Sequence, residues 1–237
     1  MNEEKDYAEQ WDVSANFFYE QGYYSWMAQQ VEKMETVVEI GCVTGYSTLA
    51  LIENGHKVIA IEKNHNCIVK AKQLLIDNEI TDDKVIFIEG DIAEDSFRDK
   101  IARNYEFDAV LCWNIGSYWN KEMIEYYLPY MFQYGLTRWE IAQNPESSYA
   151  ELILWETCSL AQARRVAVHI VDRGTEKLNE QNDPYYKMLK DEFGYKKIEY
   201  VNHSALSISK GGRMLSTKGV VNREEVLDII LVSILMR

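Results

Sequence analysis

Four short stretches in the first half of the chain place acids and glycines where a nucleotide-like ligand could be held. The first is EIGCVTG, in which Glu39, Gly41, Cys42, Val43 and Gly45 follow an apolar run and precede a helix-forming one. A glycine turn at such a place lets the backbone approach a ligand closely, and the helix start behind it offers free N–H groups. The second is Glu62, which closes the apolar run VIAIE and is followed by Lys63. A carboxylate there suits a paired hydrogen-bond donor. The third is EGDI, with Asp91 and Ile92, and the fourth is FDAVLCWN, which ends in Trp113 and Asn114.

Two common phosphate loops fail on these residues. A dinucleotide fingerprint G-x-G-x-x-G would need glycine at Gly41, Val43 and Tyr46, and only the first is one. A Walker loop needs G-K-[ST] after four residues, and no such run occurs. What remains is acidic-x-G-x-G-x-G, met at three of four positions, with Val43 in place of the middle glycine. If that position requires a positive φ, a β-branched residue is strained by about 1–2 kcal/mol. Because Gly41 and Gly45 flank it, a tolerated substitution with binding intact is expected.

The elements that must carry these stretches are legible in the same region. TVVEIG, HKVIAIE, KVIFIEG, FDAVLCW and RRVAVHIV read as five strands, nearly continuous in apolar residues, as a parallel sheet covered on both faces requires. Between them YSTLALIEN reads as a short helix closed by Gly55, and Cys67, Ile68, Ala71, Leu74 and Leu75 share one helical face. The alternation implies right-handed crossovers and an α/β, doubly wound, mostly parallel sheet of seven strands, the last two near residues 196–202 and 226–236. One domain over 1–237 is expected: a helical N-terminal cover at 1–35, a cofactor half at 36–113, an insertion or lid at 114–146 and a C-terminal half at 147–237, with a crossover helix near 147–162. Residues 1–26 and 118–139 hold sixteen of the chain's twenty-nine aromatic residues, and as a set they suggest a pocket cover.

At these four stretches the sequence resembles the class I S-adenosylmethionine-dependent methyltransferases, over roughly residues 36–113. The resemblance implies a Rossmann-like fold and a cofactor site of Glu39, Gly41, Cys42, Val43, Gly45, Glu62, Lys63, Asp91, Ile92, Trp113 and Asn114. Glu62 would take both ribose hydroxyls, Asp91 would face the adenine amino group and Ile92 its ring. The product would be S-adenosylhomocysteine. The implied reaction is an in-line displacement on a methyl group already activated by a sulfonium charge, so the protein mainly positions and dehydrates. No strong catalytic motif need appear, and none does. Of the histidines, His56 and His65 are expected on the surface, His169 in the core and His203 near a pocket mouth, with Asp172 an equal candidate for a base.

The acceptor is less determined. WNIGSYW lacks the [DNS]-P-P-[YF] motif of DNA amino-group methylases. Tyr23, Tyr24, Tyr118 and Trp119 are the expected substrate contacts, and a small molecule is the expected acceptor. A formal net charge of −13 argues against nucleic acid, although residues 187–223 carry eight Lys/Arg against three Asp/Glu. Methylation of RNA or of a protein side chain, a non-catalytic binding subunit, and more distantly a nicotinamide oxidoreductase remain open. Four scattered cysteines without a C-x-x-C pair give neither zinc site nor disulfide framework, so reduced thiols in the cytoplasm are expected. The longest apolar run, VLDIILVSILM, is too short for a membrane span. A homodimer is left open.

Overall fold

A computed structural model of the chain describes residues 3–113, 121–133, 135–210 and 225–237, with strand fragments at 213–214, 216–217 and 220–221. Two helices, α1 (Glu3–Glu20) and α2 (Tyr23–Gln29), precede the first strand. The sheet and its crossovers follow: β1 (Thr36–Ile40), α3 (Tyr46–Glu53), β2 (Lys57–Glu62), α4 (His65–Asp77), β3 (Val85–Glu89), α5 (Asp95–Asn104) and β4 (Ala109–Trp113). Next come α6 (Lys121–Gln133), α7 (Arg138–Gln143), α8 (Pro145–Arg164), β5 (Ala167–Gly174), α9 (Tyr185–Glu192) and β6 (Ile198–Ser207). Four two-residue strands, β7 (Ser209–Lys210), β8 (Arg213–Met214), β9 (Ser216–Thr217) and β10 (Val220–Val221), lead to β11 (Leu227–Met236).

The main sheet has seven strands in the order β3-β2-β1-β4-β5-β11-β6. The first five are parallel, and β11 runs antiparallel between β5 and β6. The order reverses between β1 and β4, so the carboxyl ends of those strands flank a crevice where an open sheet holds its ligand. The alternation of side chains explains the unbroken apolar runs. Val38, Ile40, Ile61, Val110 and Cys112 face α5, α6 and α8, whereas Val37, Ala60, Leu111 and Trp113 face α1, α2 and α3. Both faces are covered, so both sets must be apolar.

Local chemistry sets the boundaries. The crossover helix α8 begins two residues before the expected start, because Asn144 caps Ser147 N–H and Pro145 takes the first turn. It runs on to Arg164 and ends at Arg165 in the left-handed conformation. The stretch expected as an insertion contains α6 and α7, the latter started by a capping box between Thr137 and Glu140. Helix α9 carries Tyr186 and Leu189 into the core and was not expected from the sequence pattern.

His56 corrects an expectation: it is buried, with Nδ1 2.7 Å from the Met34 carbonyl, and joins the turn before β2 to the end of the N-terminal segment. His65 is exposed and pairs with Glu89. His169 is in the core as expected.

A close approach of backbone to backbone lies where the turn after β1 meets α4. A Cβ added to Gly45, whose φ is +89°, would stand 2.8 Å from Ala71 Cβ and 2.9 Å from Ala71 Cα. Gly55 has a similar φ of +96° but no atom within 4 Å of such a Cβ. Gly55→Ala should therefore cost only the left-handed penalty, about 1 kcal/mol. Gly45→Ala should cost at least about 2 kcal/mol more, because neither backbone can yield without moving a helix. Urea unfolding of the two variants checks this, and equal midpoints would refute the close approach.

Candidate functional site

The turn after β1 takes three left-handed residues at a spacing of two: Gly41 at φ 73°, Val43 at φ 47° and Gly45 at φ 89°. Gly41 and Gly45 adopt this without cost; Val43 bears the strain of a β-branched residue there, about 1–2 kcal/mol. Its backbone is held by a specific partner. Val43 N–H donates to Glu62 Oε2 at 3.1 Å, while Gly41 N–H donates to the Ile61 carbonyl at 2.8 Å. The chain thus makes the turn a glycine would make.

Glu62 is buried at the end of β2, and its carboxylate joins two loops. Oε1 accepts from Lys63 N–H at 2.9 Å and Asn64 N–H at 2.8 Å, and Oε2 accepts from Val43. Burial pushes its pKa up, opposed by the three backbone N–H groups and the Lys63 ammonium. Asn64 in turn caps α4 through Asn66 N–H and donates its amide to the Glu4 carbonyl, which ties α1 to the rim.

These residues open onto a cleft of about 260 Å³ lined by Gly41, Val43, Glu62, Lys63, Asp91, Ile92 and Trp113 from the expected set. Glu39, Cys42 and Gly45 lie behind it rather than on its surface. Glu39 is a buried anchor: it accepts from Ser47 Oγ and, at 2.6 Å, from Thr48 Oγ1, which binds the first turn of α3 to β1. Its carboxyl is pushed up to about 7 by burial, against the pull of the two hydroxyls. Burial also pushes the Cys42 thiol up, so it is an inert neighbour of the turn. Asn114, Tyr118 and Trp119 lie outside the described residues.

The opposite wall is a polar cluster with aromatic bodies. Lys63 Nζ donates to Tyr149 Oη at 2.6 Å and to Tyr127 Oη at 3.3 Å, and it lies 4.6 and 5.2 Å from the centroids of the two rings. Tyr127 Oη also donates to Asp91 Oδ2, while Asp91 Oδ1 accepts from Ala93 N–H. Burial lowers the Lys63 pKa and raises both phenols, so the tyrosines are held as neutral phenols. Tyr127 belongs to the aromatic set expected as a cover, and so does Tyr7, which lines the cleft from α1. The set does not act as one: Tyr126 and Trp139 are exposed, and Trp11 and Phe18 are core residues. Tyr149 was missed by the sequence reading; its signal is the spacing of Tyr149, Ile153 and Glu156 on one face of α8.

Tyr23 and Tyr24 are displaced from their expected role as substrate contacts. Both are buried against α1 and β6, off the cleft surface. Tyr23 Oη accepts from Leu206 N–H at 2.9 Å, and both rings pack on Phe18. The candidate bases fare likewise. His203 stacks on Trp26 with centroids 4.8 Å apart. Asp172 accepts from Tyr186 Oη and Arg173 N–H. His169 Nδ1 accepts from Trp113 Nε1 at 2.9 Å and Nε2 meets Ser233 Oγ at 2.8 Å; burial drives its pKa down to about 3. His169 therefore holds the indole of the cleft wall as a neutral ring. None of the three lines the cleft.

No three His, Cys, Asp or Glu side chains among the described residues form a metal-binding group. No described helix is long and apolar enough to cross a membrane.

Comparison with known proteins agrees with this geometry. A family profile described as a methyltransferase domain matches residues 37–133, from β1 to the end of α6. No curated protein sequence matches the chain. Among solved structures, EvdMO1 is similar with a TM-score of 0.52 at 14% identity, over 90% of this chain and 40% of that one. A Pyrococcus horikoshii protein proposed to be an RNA methyltransferase gives 0.53 at 12% identity, over 90% and 80% of the two chains. A methyltransferase from Agrobacterium tumefaciens described as dependent on S-adenosylmethionine gives 0.53 at 13%, over 91% and 61%. The chain thus spans less than half the length of EvdMO1. At such identities these likenesses speak for the fold, and the matched profile covers the loops that build the cleft. Residues 37–133 thus match a methyltransferase domain, and the fold is shared with the S-adenosylmethionine-dependent methyltransferase from Agrobacterium tumefaciens.

Proposed function

We propose that this chain transfers a methyl group from S-adenosylmethionine to a small-molecule acceptor, with the cleft beside β1 and β4 as the cofactor site. The observation that carries the reading is Glu62. Glu62 lines the cleft, and its Oε2 has one backbone donor, which leaves a lone pair for a ligand hydroxyl. The space in front of the turn is open, since a Cβ built on Gly41 meets no atom within 4 Å. Asp91 keeps acceptor capacity on both oxygens beyond Tyr127 and Ala93. The residues present therefore fit the cofactor that the family implies.

Bound S-adenosylmethionine supplies a methyl group already activated by the sulfonium charge. The chain's own residues position and exclude water. Glu62 and Asp91 give the cleft a negative lining, and the rings of Tyr7, Trp113, Tyr127 and Tyr149 offer apolar walls and π faces to a cation. A small acceptor suits this aromatic cleft better than a phosphate backbone does. The basic segment also loses force in the fold, because Lys190 and Lys197 pair with Asp191 and Glu199.

Four measurements test the reading. Calorimetry should show binding of S-adenosylmethionine and S-adenosylhomocysteine. Glu62→Ala, checked for folding by circular dichroism, should weaken it by about 1–3 kcal/mol; an unchanged dissociation constant would remove Glu62 from the site. Val43→Gly relieves the left-handed strain but adds chain entropy to the unfolded state, so stability should change by less than about 1 kcal/mol. Cofactor affinity should stay equal or tighten, and a large loss would mean that the valine methyls contact the ligand. With a methyl-labelled cofactor and a cell extract, label should enter the dialysable fraction, whereas label in RNA or protein would replace the acceptor class proposed here.

A further inference from the structure

Arg98, on α5, is the point where the two walls of the cleft are joined behind its surface. Its side chain is about nine-tenths buried, at 11% exposure. Nη1 donates to the Ile92 carbonyl at 2.7 Å, and Nη2 lies 2.8 Å from Glu156 Oε2 and also meets Asp95. Ile92 follows Asp91 in the turn after β3, and both line the cleft. Glu156 is buried on α8, on the same face as Tyr149 and Ile153, which line the cleft from the other side. One guanidinium therefore fixes the turn that would meet the adenine ring against the helix that carries Tyr149.

We propose that Arg98 and Glu156 are positioning residues for the cofactor, holding the Asp91–Ile92 turn in register with α8 without touching the ligand. The inference rests on reading the cleft as the S-adenosylmethionine site. A buried ion pair is a weak source of net stability, since desolvation offsets the attraction, so its value here lies in geometry. The guanidinium fork can serve a carbonyl and a carboxylate at once, which an ammonium cannot do with the same directions.

The pair also titrates in an accessible range. Burial pushes the Glu156 carboxyl up to about 7, against the pull of Arg98 and with a smaller push from Asp95. Those two groups, both from α5, are the charged partners facing it among the described residues. Asp95 is largely exposed and stays beside Arg98. Above pH 7 the carboxylate holds Arg98 inward; as pH falls through 7 it takes up a proton, and Asp95 alone pulls the guanidinium outward. Cofactor affinity should therefore fall with pH across this window. Glu39 titrates in the same range, so the comparison must be with a variant that retains it.

The experiment is calorimetry of S-adenosylhomocysteine binding at pH 8 and pH 6 for the wild type, Glu156→Gln and Arg98→Lys. The wild type should bind up to about tenfold more weakly at pH 6, the change in charged fraction of a group titrating near 7. Glu156→Gln should bind weakly at both values, with a distinctly smaller ratio. Arg98→Lys keeps the charge and guards against a misfolded first variant; it should bind several-fold more weakly at pH 8. Equal pH ratios in wild type and Glu156→Gln, or wild-type affinity in Arg98→Lys, would overturn the inference while leaving the cofactor site intact. A wild type that binds no S-adenosylhomocysteine at either pH would overturn the cofactor reading and this inference with it.

Discussion

The geometry of the cleft depends on one carboxylate accepting three backbone N–H groups from two loops. Glu62 is out of water, and a buried carboxylate without partners would take up a proton or pull the loop open. Val43, Lys63 and Asn64 answer that demand and are themselves fixed by it. The turn after β1 and the turn after β2 thereby become one rigid edge before any ligand arrives. Preorganisation of this kind lowers the ordering cost that binding would otherwise bear.

The same constraint explains how Val43 persists in a glycine's place. A strained backbone survives where its surroundings over-determine it. Here Gly41 is tied to the Ile61 carbonyl on one side, Gly45 rests on Ala71 on the other, and the Val43 N–H is pinned to Glu62 between them. With both ends and the middle fixed, the valine has no neighbouring conformation to relax into. Its side chain then points where a glycine would leave space, and it becomes part of the cleft wall.

Much of the sheet was legible in the sequence because being covered on both faces leaves an unbroken apolar signature, seen in β1, β2 and β4. The order of the loops along the chain then placed Gly41, Glu62, Asp91 and Trp113 on one edge. What stayed hidden was partnership. Aromatic clustering puts Tyr23 and Tyr24 in a cover; it does not say that they pack on Phe18 and bond β6 and not a ligand. His56 follows a glycine turn and reads as surface, yet a carbonyl 22 residues upstream draws it inward. Tyr149 sits in a helix buried on several sides, so its spacing with Ile153 and Glu156 marks a face without naming what that face meets, and only the fold brings it to Lys63.

The protonation states around the cleft bear on what kind of acceptor it can serve. Tyr127 and Tyr149 are held as neutral phenols, and Cys112 as a thiol whose pKa is pushed up to about 12. His169, behind the cleft wall, turns its Nδ1 lone pair to the Trp113 indole and not to the cleft. Glu62 and Asp91 carry the right charge for a base, but each already organises backbone N–H groups that a proton would release. With the cleft as the proposed S-adenosylmethionine site, its described residues would hold and shield a cationic methyl donor, and none of them is placed to remove a proton from what attacks it. An acceptor whose nucleophilic atom already has a free lone pair needs nothing more, since the positive sulfonium supplies the driving force and the walls supply alignment.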